Sequence, residues 1–104
     1  MYVFKLYVTG QTVRSKRAIY NLYNLCNQYL AGNYEITIID VLEQPQLAEE
    51  EKILATPTVI RELPSPRRRL VGDLSDIERV LRALDVDPAA LSKQHQKSNS
   101  EETE

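Results

Sequence analysis

Two strand-like segments flank one long amphipathic segment in the first 41 residues, and this order most limits what the chain can fold into. Residues 2–9 and 34–41 are rich in aromatic and β-branched side chains, which is typical of strands. Residues 13–31 repeat apolar side chains at intervals of three and four, which predicts a helix with a wide apolar face. The order predicts a βαβ unit, in which two parallel strands are joined by a right-handed crossover.

The first strand is expected to present two different faces, because successive side chains of a strand point to opposite sides. Phe4, Leu6 and Val8 share one face and are predicted to lie in the core. Lys5 and Tyr7 share the other face, which is predicted to be at least partly exposed to water.

The second half of the chain predicts a shorter helix, a hairpin and a last helix. Pro45 suits the first position of a helix, and residues 58–61 and 70–72 form two short strand-like runs around a proline-rich turn. Ser75 and Glu78 match the S-x-x-E capping box, so the last helix is predicted to start at Ser75. At the first helix, Thr12 or Ser15 can provide the cap.

The predicted order is therefore β-α-β-α-β-β-α, an α/β arrangement of the thioredoxin-like type. Pro57 can be interpreted in two ways. Taken alone, it is expected to end the acidic helix-like segment before it, because proline disfavours helix at the preceding residue. In the thioredoxin-like order it precedes the third strand, where a proline is commonly cis.

Length and composition predict one small domain over residues 1–88 and a polar, disordered tail over residues 89–104. His95 lies in that tail and is expected to be solvated. The chain has neither a signal-peptide pattern nor an apolar run long enough to span a membrane, so we expect a cytoplasmic protein without membrane contact. The net charge of -2 gives no reason to expect nucleic-acid binding.

The residues needed for the common catalytic mechanisms are missing. Cys26 is the single cysteine, and it falls on an apolar stripe of the first helix rather than in the loop before it, so disulfide exchange lacks its C-x-x-C pair. The predicted domain contains no histidine for a triad and no glycine-rich phosphate loop. We therefore expect a binding module with no catalytic residues, no metal and no cofactor.

Several segments together resemble the KaiB family of circadian clock proteins, over roughly residues 3–85. The matching segments are Lys5-Leu6-Tyr7-Val8, Ile39-Asp40-Val41-Leu42, Pro45-Gln46-Leu47-Ala48-Glu49-Glu50, Lys52-Ile53-Leu54-Ala55-Thr56-Pro57-Thr58, Leu63-Pro64, Arg68-Arg69 and Gly72-Asp73-Leu74-Ser75.

This resemblance implies a regulator that binds the RecA-type ATPase ring of a KaiC-like protein and modulates its phosphorylation or ATPase state. It also implies exchange with KaiA-like proteins or histidine kinases, and homo-oligomers (dimers or tetramers). The residues that it assigns to partner binding are all basic: Lys5, Arg17, Lys52, Arg68 and Arg69.

The resemblance further implies that the second half of the chain has two arrangements. One is thioredoxin-like, and the other is a tetrameric ground state that we expect a crystal to show. The residues expected to influence the exchange are Pro57, Pro64, Pro66, Ala83 and Asp85. Ala83 stands where the family typically has glycine, and alanine favours helix over glycine by about 1 kcal/mol. We therefore expect Ala83 to favour the thioredoxin-like state.

The sequence is compatible with two functional interpretations. The departures from the family and the different tail resemble KaiB-like proteins linked to stress responses, so the regulator could serve circadian timing or such an offshoot. The alternative is a thioredoxin-fold redox or sensor-type interaction domain, against which the absence of C-x-x-C counts strongly.

Overall fold

The computed structural model describes residues 1–86 and confirms the predicted order of elements. The elements are β1 (Tyr2–Val8), α1 (Val13–Tyr29), β2 (Tyr34–Asp40), α2 (Pro45–Glu50), β3 (Thr58–Leu63), β4 (Arg68–Val71) and α3 (Ile77–Ala83). The predictions for the domain boundary at residue 88, for the tail over residues 89–104 and for His95 lie outside the described residues.

The four strands form one sheet in the order β2-β1-β3-β4. β1 pairs in parallel with β2 and antiparallel with β3, and β3 and β4 form an antiparallel hairpin. This is the predicted thioredoxin-like arrangement. The alternative pairing of the second half, which we expected in a crystal, is not the one in this structure.

The main core lies between one face of the sheet and the helices α1 and α3. β1 contributes the predicted residues Phe4, Leu6 and Val8, each no more than 2% exposed. The helices and the neighbouring strands contribute the remaining buried side chains, chiefly Ala18, Leu22, Leu25, Cys26, Leu30, Val59, Leu70, Val80 and Leu84.

A second, smaller core covers part of the opposite face and corrects the prediction for Tyr7. Tyr7, Ile39 and Ile60 are buried there against Leu47 of α2 and Ile53 of the following turn. Tyr7 is only 1% exposed because this part of the chain covers it, and burial is the main cause that raises its pKa. The expectation of a partly wet face holds for its neighbour Lys5, which is half-buried.

The helix starts confirm one predicted cap and correct another. Thr12 caps α1, since its hydroxyl accepts a hydrogen bond from the Ser15 N–H at 3.2 Å. α3 is capped by Asp76 and not by Ser75, because Asp76 accepts from the Arg79 N–H at 3.2 Å. The Ser75 N–H instead bonds to Asp73 Oδ1 at 3.1 Å, so Ser75 belongs to the turn before the helix.

Pro57 is a junction residue of the sheet and does not end a helix. α2 already ends at Glu50, so the helix-stop interpretation is wrong. The Thr56–Pro57 bond is cis, as are Leu63–Pro64 and Ser65–Pro66. The Pro57 carbonyl accepts a hydrogen bond from the Gly72 N–H at 2.9 Å, which links the start of β3 to the end of β4.

No helix within residues 1–86 combines the length and the apolar character that crossing a bilayer requires.

The main core predicts a clear stability test on α1. Leu22 is fully buried, so Leu22→Ala should lower the free energy of unfolding by about 2–5 kcal/mol through lost apolar burial and a residual cavity. Tyr20 on the same helix is 68% exposed and is the matched control. Urea unfolding of Leu22→Ala and Tyr20→Ala measures the difference. Equal losses of unfolding free energy in the two variants would contradict this core assignment.

Candidate partner-binding surface

Three of the five predicted basic residues meet at one corner of the molecule. Lys5, Ile60 and Arg69 are paired in a row across β1, β3 and β4, so their side chains share one face of the sheet. The turn after α2 lies against that row, where Arg69 Nη2 donates to the Glu51 carbonyl at 2.8 Å and Arg69 Nη1 to the Lys52 carbonyl at 3.3 Å. We call this surface the α2 corner; it consists of Lys5, Glu51, Lys52, Arg67 and Arg69, together with Leu54, which follows Lys52 by two residues.

The other two predicted residues lie elsewhere. Arg17 is on α1, with Nη1 at 3.6 Å from Asp73 Oδ2. Arg68 points to the opposite face of the sheet from Arg69, and its Nη2 is 3.9 Å from Asp85 Oδ2. The alternation of side chains along β4 therefore divides the arginine run between two surfaces.

Glu51 is the acidic centre of the α2 corner, a role that the sequence pattern did not predict. Arg67 Nη2 lies 2.5 Å from Glu51 Oε1, while Arg67 Nε lies 2.9 Å from Glu62 Oε1. The hydrogen bond from Arg67 is the first cause that lowers the pKa of Glu51, and the nearby charges of Arg69 and Lys5 add to it. The same bonds raise the pKa of Arg67. The expected electropositive edge is thus partly neutralised.

Lys52 occupies a backbone conformation that normally calls for glycine. Its φ is 55°, its N–H bonds to the Glu49 carbonyl at 3.1 Å, and the Ile53 N–H bonds to the Ala48 carbonyl at 2.9 Å. This is the Schellman pattern at the end of α2, with lysine at the left-handed position. The turn directs Ile53 into the second core and leaves Lys52 exposed. Within residues 1–86 the Lys52 side chain has no ion pair.

Leu54 is an exposed apolar side chain next to this lysine. It is 96% exposed, and it borders a shallow groove of about 230 Å³ whose other walls include Val41, Ala48 and Ile53. The Thr9 and Thr56 hydroxyls are hydrogen-bonded to each other at the same groove. The sequence alone did not identify this exposed leucine, which lies two residues after Lys52.

The loop that would carry redox chemistry in this fold carries hydroxyls instead. Thr12 Oγ1 donates to Ser15 Oγ at 2.8 Å, and Ser15 Oγ donates to the Thr9 carbonyl at 3.2 Å. Cys26 is fully buried in the main core, and desolvation raises its pKa to about 12. In the part of the chain that the structure describes, no group of three acidic, histidine or cysteine side chains is placed to hold a metal ion.

Comparison with known proteins supports the resemblance seen in the sequence. The sequence model of the KaiB domain family matches residues 5–86 of this chain. The chain is a member of the KaiB family. It is 54% identical over 89 residues to "Circadian clock protein KaiB3" of Synechocystis sp., covering 86% of this chain and 87% of that protein. It is 56% identical over 85 residues to "Circadian clock oscillator protein KaiB" of Nostoc punctiforme, covering 82% of each.

Solved structures agree on the fold of this KaiB-family chain. The N-terminal domain of SasA from Synechococcus elongatus is similar with a TM-score of 0.67 at 24% identity, over 83% of this chain and 85% of that one. Mitochondrial thioredoxin 3 from Saccharomyces cerevisiae is similar with a TM-score of 0.58 at 18% identity, over 92% and 77%. At these identities the likeness shows the thioredoxin-like fold alone.

The Glu51–Arg67 pair predicts a pH dependence of stability. The pKa of Glu51 in the folded chain lies below that of an unfolded glutamate, about 4.3, so the pair stabilises the fold above that pH. The contribution is lost as the pH falls through the lowered folded pKa. Glu51→Gln should cost about 1 kcal/mol or less at about pH 7, since the pair is partly exposed, and the cost should become smaller as the pH falls to about 2.5.

Urea unfolding at the two pH values measures this difference. Glu49→Gln, at an exposed position of α2, is the control. If both glutamine variants showed the same pH profile, Glu51 would have no special electrostatic role.

The buried thiol predicts the absence of thiol reactivity in the folded chain. Because the pKa of Cys26 is about 12 and its side chain is inaccessible, a thiol reagent such as Ellman's reagent should react only after unfolding. In guanidinium, one equivalent of the coloured thionitrobenzoate product should be released per chain, and in native buffer essentially none. Fast native labelling would reopen the redox interpretation.

Proposed function

We propose that the chain is a non-enzymatic regulator that docks through the α2 corner on the RecA-type ATPase ring of a KaiC-like partner. Docking modulates the phosphorylation or ATPase state of that ring, in circadian timing or in a related stress response. The role is cytoplasmic. The observation that carries the proposal is Lys52, which occupies a strained left-handed position beside a fully exposed leucine.

The backbone at Lys52 argues for a role of its side chain. A non-glycine residue in the left-handed region costs about 1–2 kcal/mol, and glycine is the usual solution at this position of a helix end. The lysine makes no compensating ion pair within the described residues. The fold requires the left-handed turn, which places Ile53 in the second core, but it does not require a lysine at that position; the use of lysine there is the reason to infer a role for its side chain.

The composition of the α2 corner fits a protein interface. Leu54 provides an exposed apolar side chain two residues after Lys52. Lys5, Lys52 and Arg69 give the corner positive charge, which Glu51 only partly balances. Apolar anchors contribute most to affinity, whereas charges at the rim increase the association rate and select an oppositely charged partner. The corner therefore suits an acidic surface with an apolar depression.

Family membership supports the choice of the proposed partner. The relatives are named as circadian clock proteins, and the resemblance implies a KaiC-like ring, with KaiA-like proteins or histidine kinases as further partners. Arg17 and Arg68 lie on other surfaces, so we assign them to additional contacts or to homo-oligomers. The redox alternative gains no support, because the one cysteine is buried in the core.

Lys52→Gly separates binding from stability. Glycine relieves the left-handed strain, so the free energy of unfolding should stay equal or rise by up to about 1 kcal/mol. Affinity for the KaiC-like ring should fall about five- to tenfold, with a weaker salt dependence, because one interface charge is lost. Calorimetry at two salt concentrations and urea unfolding give the two quantities.

Leu54→Ser tests the apolar anchor in the same assay, and Val13→Ser is its control, since Val13 is 69% exposed at the start of α1. Leu54→Ser should weaken binding at least fivefold at unchanged stability, whereas Val13→Ser should not. Wild-type affinity in both the Lys52 and the Leu54 variants would rule out the α2 corner as the docking surface.

A further inference from the structure

The side chain of Arg61 is a buried cation that the proposed docking surface does not use. It lies on the main-core face of β3 and is only 2% exposed. Arginine is almost never fully buried unless it is paired with an acid. Within residues 1–86, Arg61 has no ion pair with a carboxylate, so its burial calls for another explanation.

The guanidinium joins three separate segments. Nη2 donates to the Pro66 carbonyl in the hairpin turn at 2.6 Å, and Nη1 donates to the Asp85 carbonyl after α3 at 3.2 Å. Nε is buried and has no partner in the described residues. One side chain of β3 thus holds both the tip of the hairpin and the end of the last helix.

The Asp85 carbonyl is presented to Arg61 by a second left-handed helix end. Asp85 has φ 54°, its N–H bonds to the Arg82 carbonyl at 3.2 Å, and the Val86 N–H bonds to the Leu81 carbonyl at 2.9 Å. The contact to Arg61 therefore requires this turn to be closed.

Neutral carbonyls compensate a buried cation poorly. The two carbonyls accept hydrogen bonds from Nη1 and Nη2 only. The buried Nε–H has no acceptor in the described residues, which adds a desolvation penalty. An apolar residue of similar shape is often as stable at such a site, or more stable. The arginine therefore contributes little to overall stability. Its planar guanidinium, however, holds Nη1 and Nη2 as a rigid fork, which fixes the positions of two acceptors at once.

We propose that Arg61 is a positioning residue that latches the C-terminal end of α3 to the hairpin turn, so that loss of this one fork releases α3 locally while the rest of the sheet stays folded. The proposal concerns the hold on α3 and does not rest on the proposed function. Asp85 provides the latch with its backbone carbonyl, and its carboxylate toward Arg68 is a separate contact.

Amide hydrogen exchange of the full chain, resolved by residue, tests the latch. The reporters are the Leu84 and Val86 amides, which bond to the Val80 and Leu81 carbonyls. The reference is the Leu30 amide at the end of α1. In Arg61→Met, exchange of the two reporters should accelerate at least tenfold, while the reference changes less than threefold.

Three matched variants decide the interpretation. Arg61→Lys keeps the charge but replaces the fork by one ammonium group, so it should also accelerate the reporters by at least threefold. Asp85→Gly removes the carboxylate and keeps the carbonyl, and it should leave the reporters protected. Arg82→Met removes an exposed cation from α3 itself and should have no more than a threefold effect.

Several results would overturn the latch. Unchanged reporters in Arg61→Met, full protection in Arg61→Lys, or equal acceleration of the reporters and the reference would each do so. Acceleration in Asp85→Gly as large as in Arg61→Met would assign the hold to the Arg68 ion pair. If Arg61→Met fails to fold, Arg61→Lys alone decides by the same criteria, because complete loss of structure is not a local release.

Discussion

The whole molecule depends on the pairing of β1 with a neighbour on each edge. β2 lies parallel on one side and β3 antiparallel on the other, so the first strand is central although it comes first in the chain. It is also covered on both faces, by the main core and by the smaller core around Tyr7. Because β2 and β3 pair directly with this strand and both cores pack against it, its double burial is the constraint around which the other elements are arranged.

The C-terminal ends of two helices then determine the positions of the Lys52 side chain and the Asp85 carbonyl. Both α2 and α3 finish in a left-handed turn at a residue other than glycine, Lys52 and Asp85 respectively. In each turn the next residue returns into an apolar cluster, while the strained residue itself stays exposed. The same local geometry thus exposes a lysine at the α2 corner and a backbone carbonyl to Arg61.

The arginines of the second half show how alternation distributes one type of side chain among several roles. Arg67 and Arg69 contact the Glu51 segment, Arg68 faces Asp85, and Arg61 is buried between the hairpin and α3. The run Arg67-Arg68-Arg69, which seems uniform in the sequence, therefore divides between an exposed surface and one isolated ion pair, while Arg61, earlier in the chain, makes an internal contact. Of these, the exposed surface is the one that adjoins Lys52 and the exposed Leu54, which suit a protein partner.

The sequence by itself determined the order of elements, the parallel βαβ unit and the contribution of β1 and of the apolar face of α1 to the main core, because apolar periodicity and the crossover rule are local or nearly local signals. It also pointed to the family and excluded the common catalytic sets by the residues it lacks. It could not show that α2 covers Tyr7, that Asp76 replaces Ser75 as the cap, or that Arg61 is buried.

The cover over Tyr7 and the burial of Arg61 depend on contacts between segments far apart in the chain, and so does the division of the five predicted basic residues into a corner of three and two outliers. The choice of Asp76 over Ser75 depends on the detailed geometry of the turn, in which Asp73 binds the Ser75 N–H. Only the tertiary structure decided them, since the sheet register, and not the spacing along the chain, brings Lys5 and Arg69 into one row and turns Arg68 away.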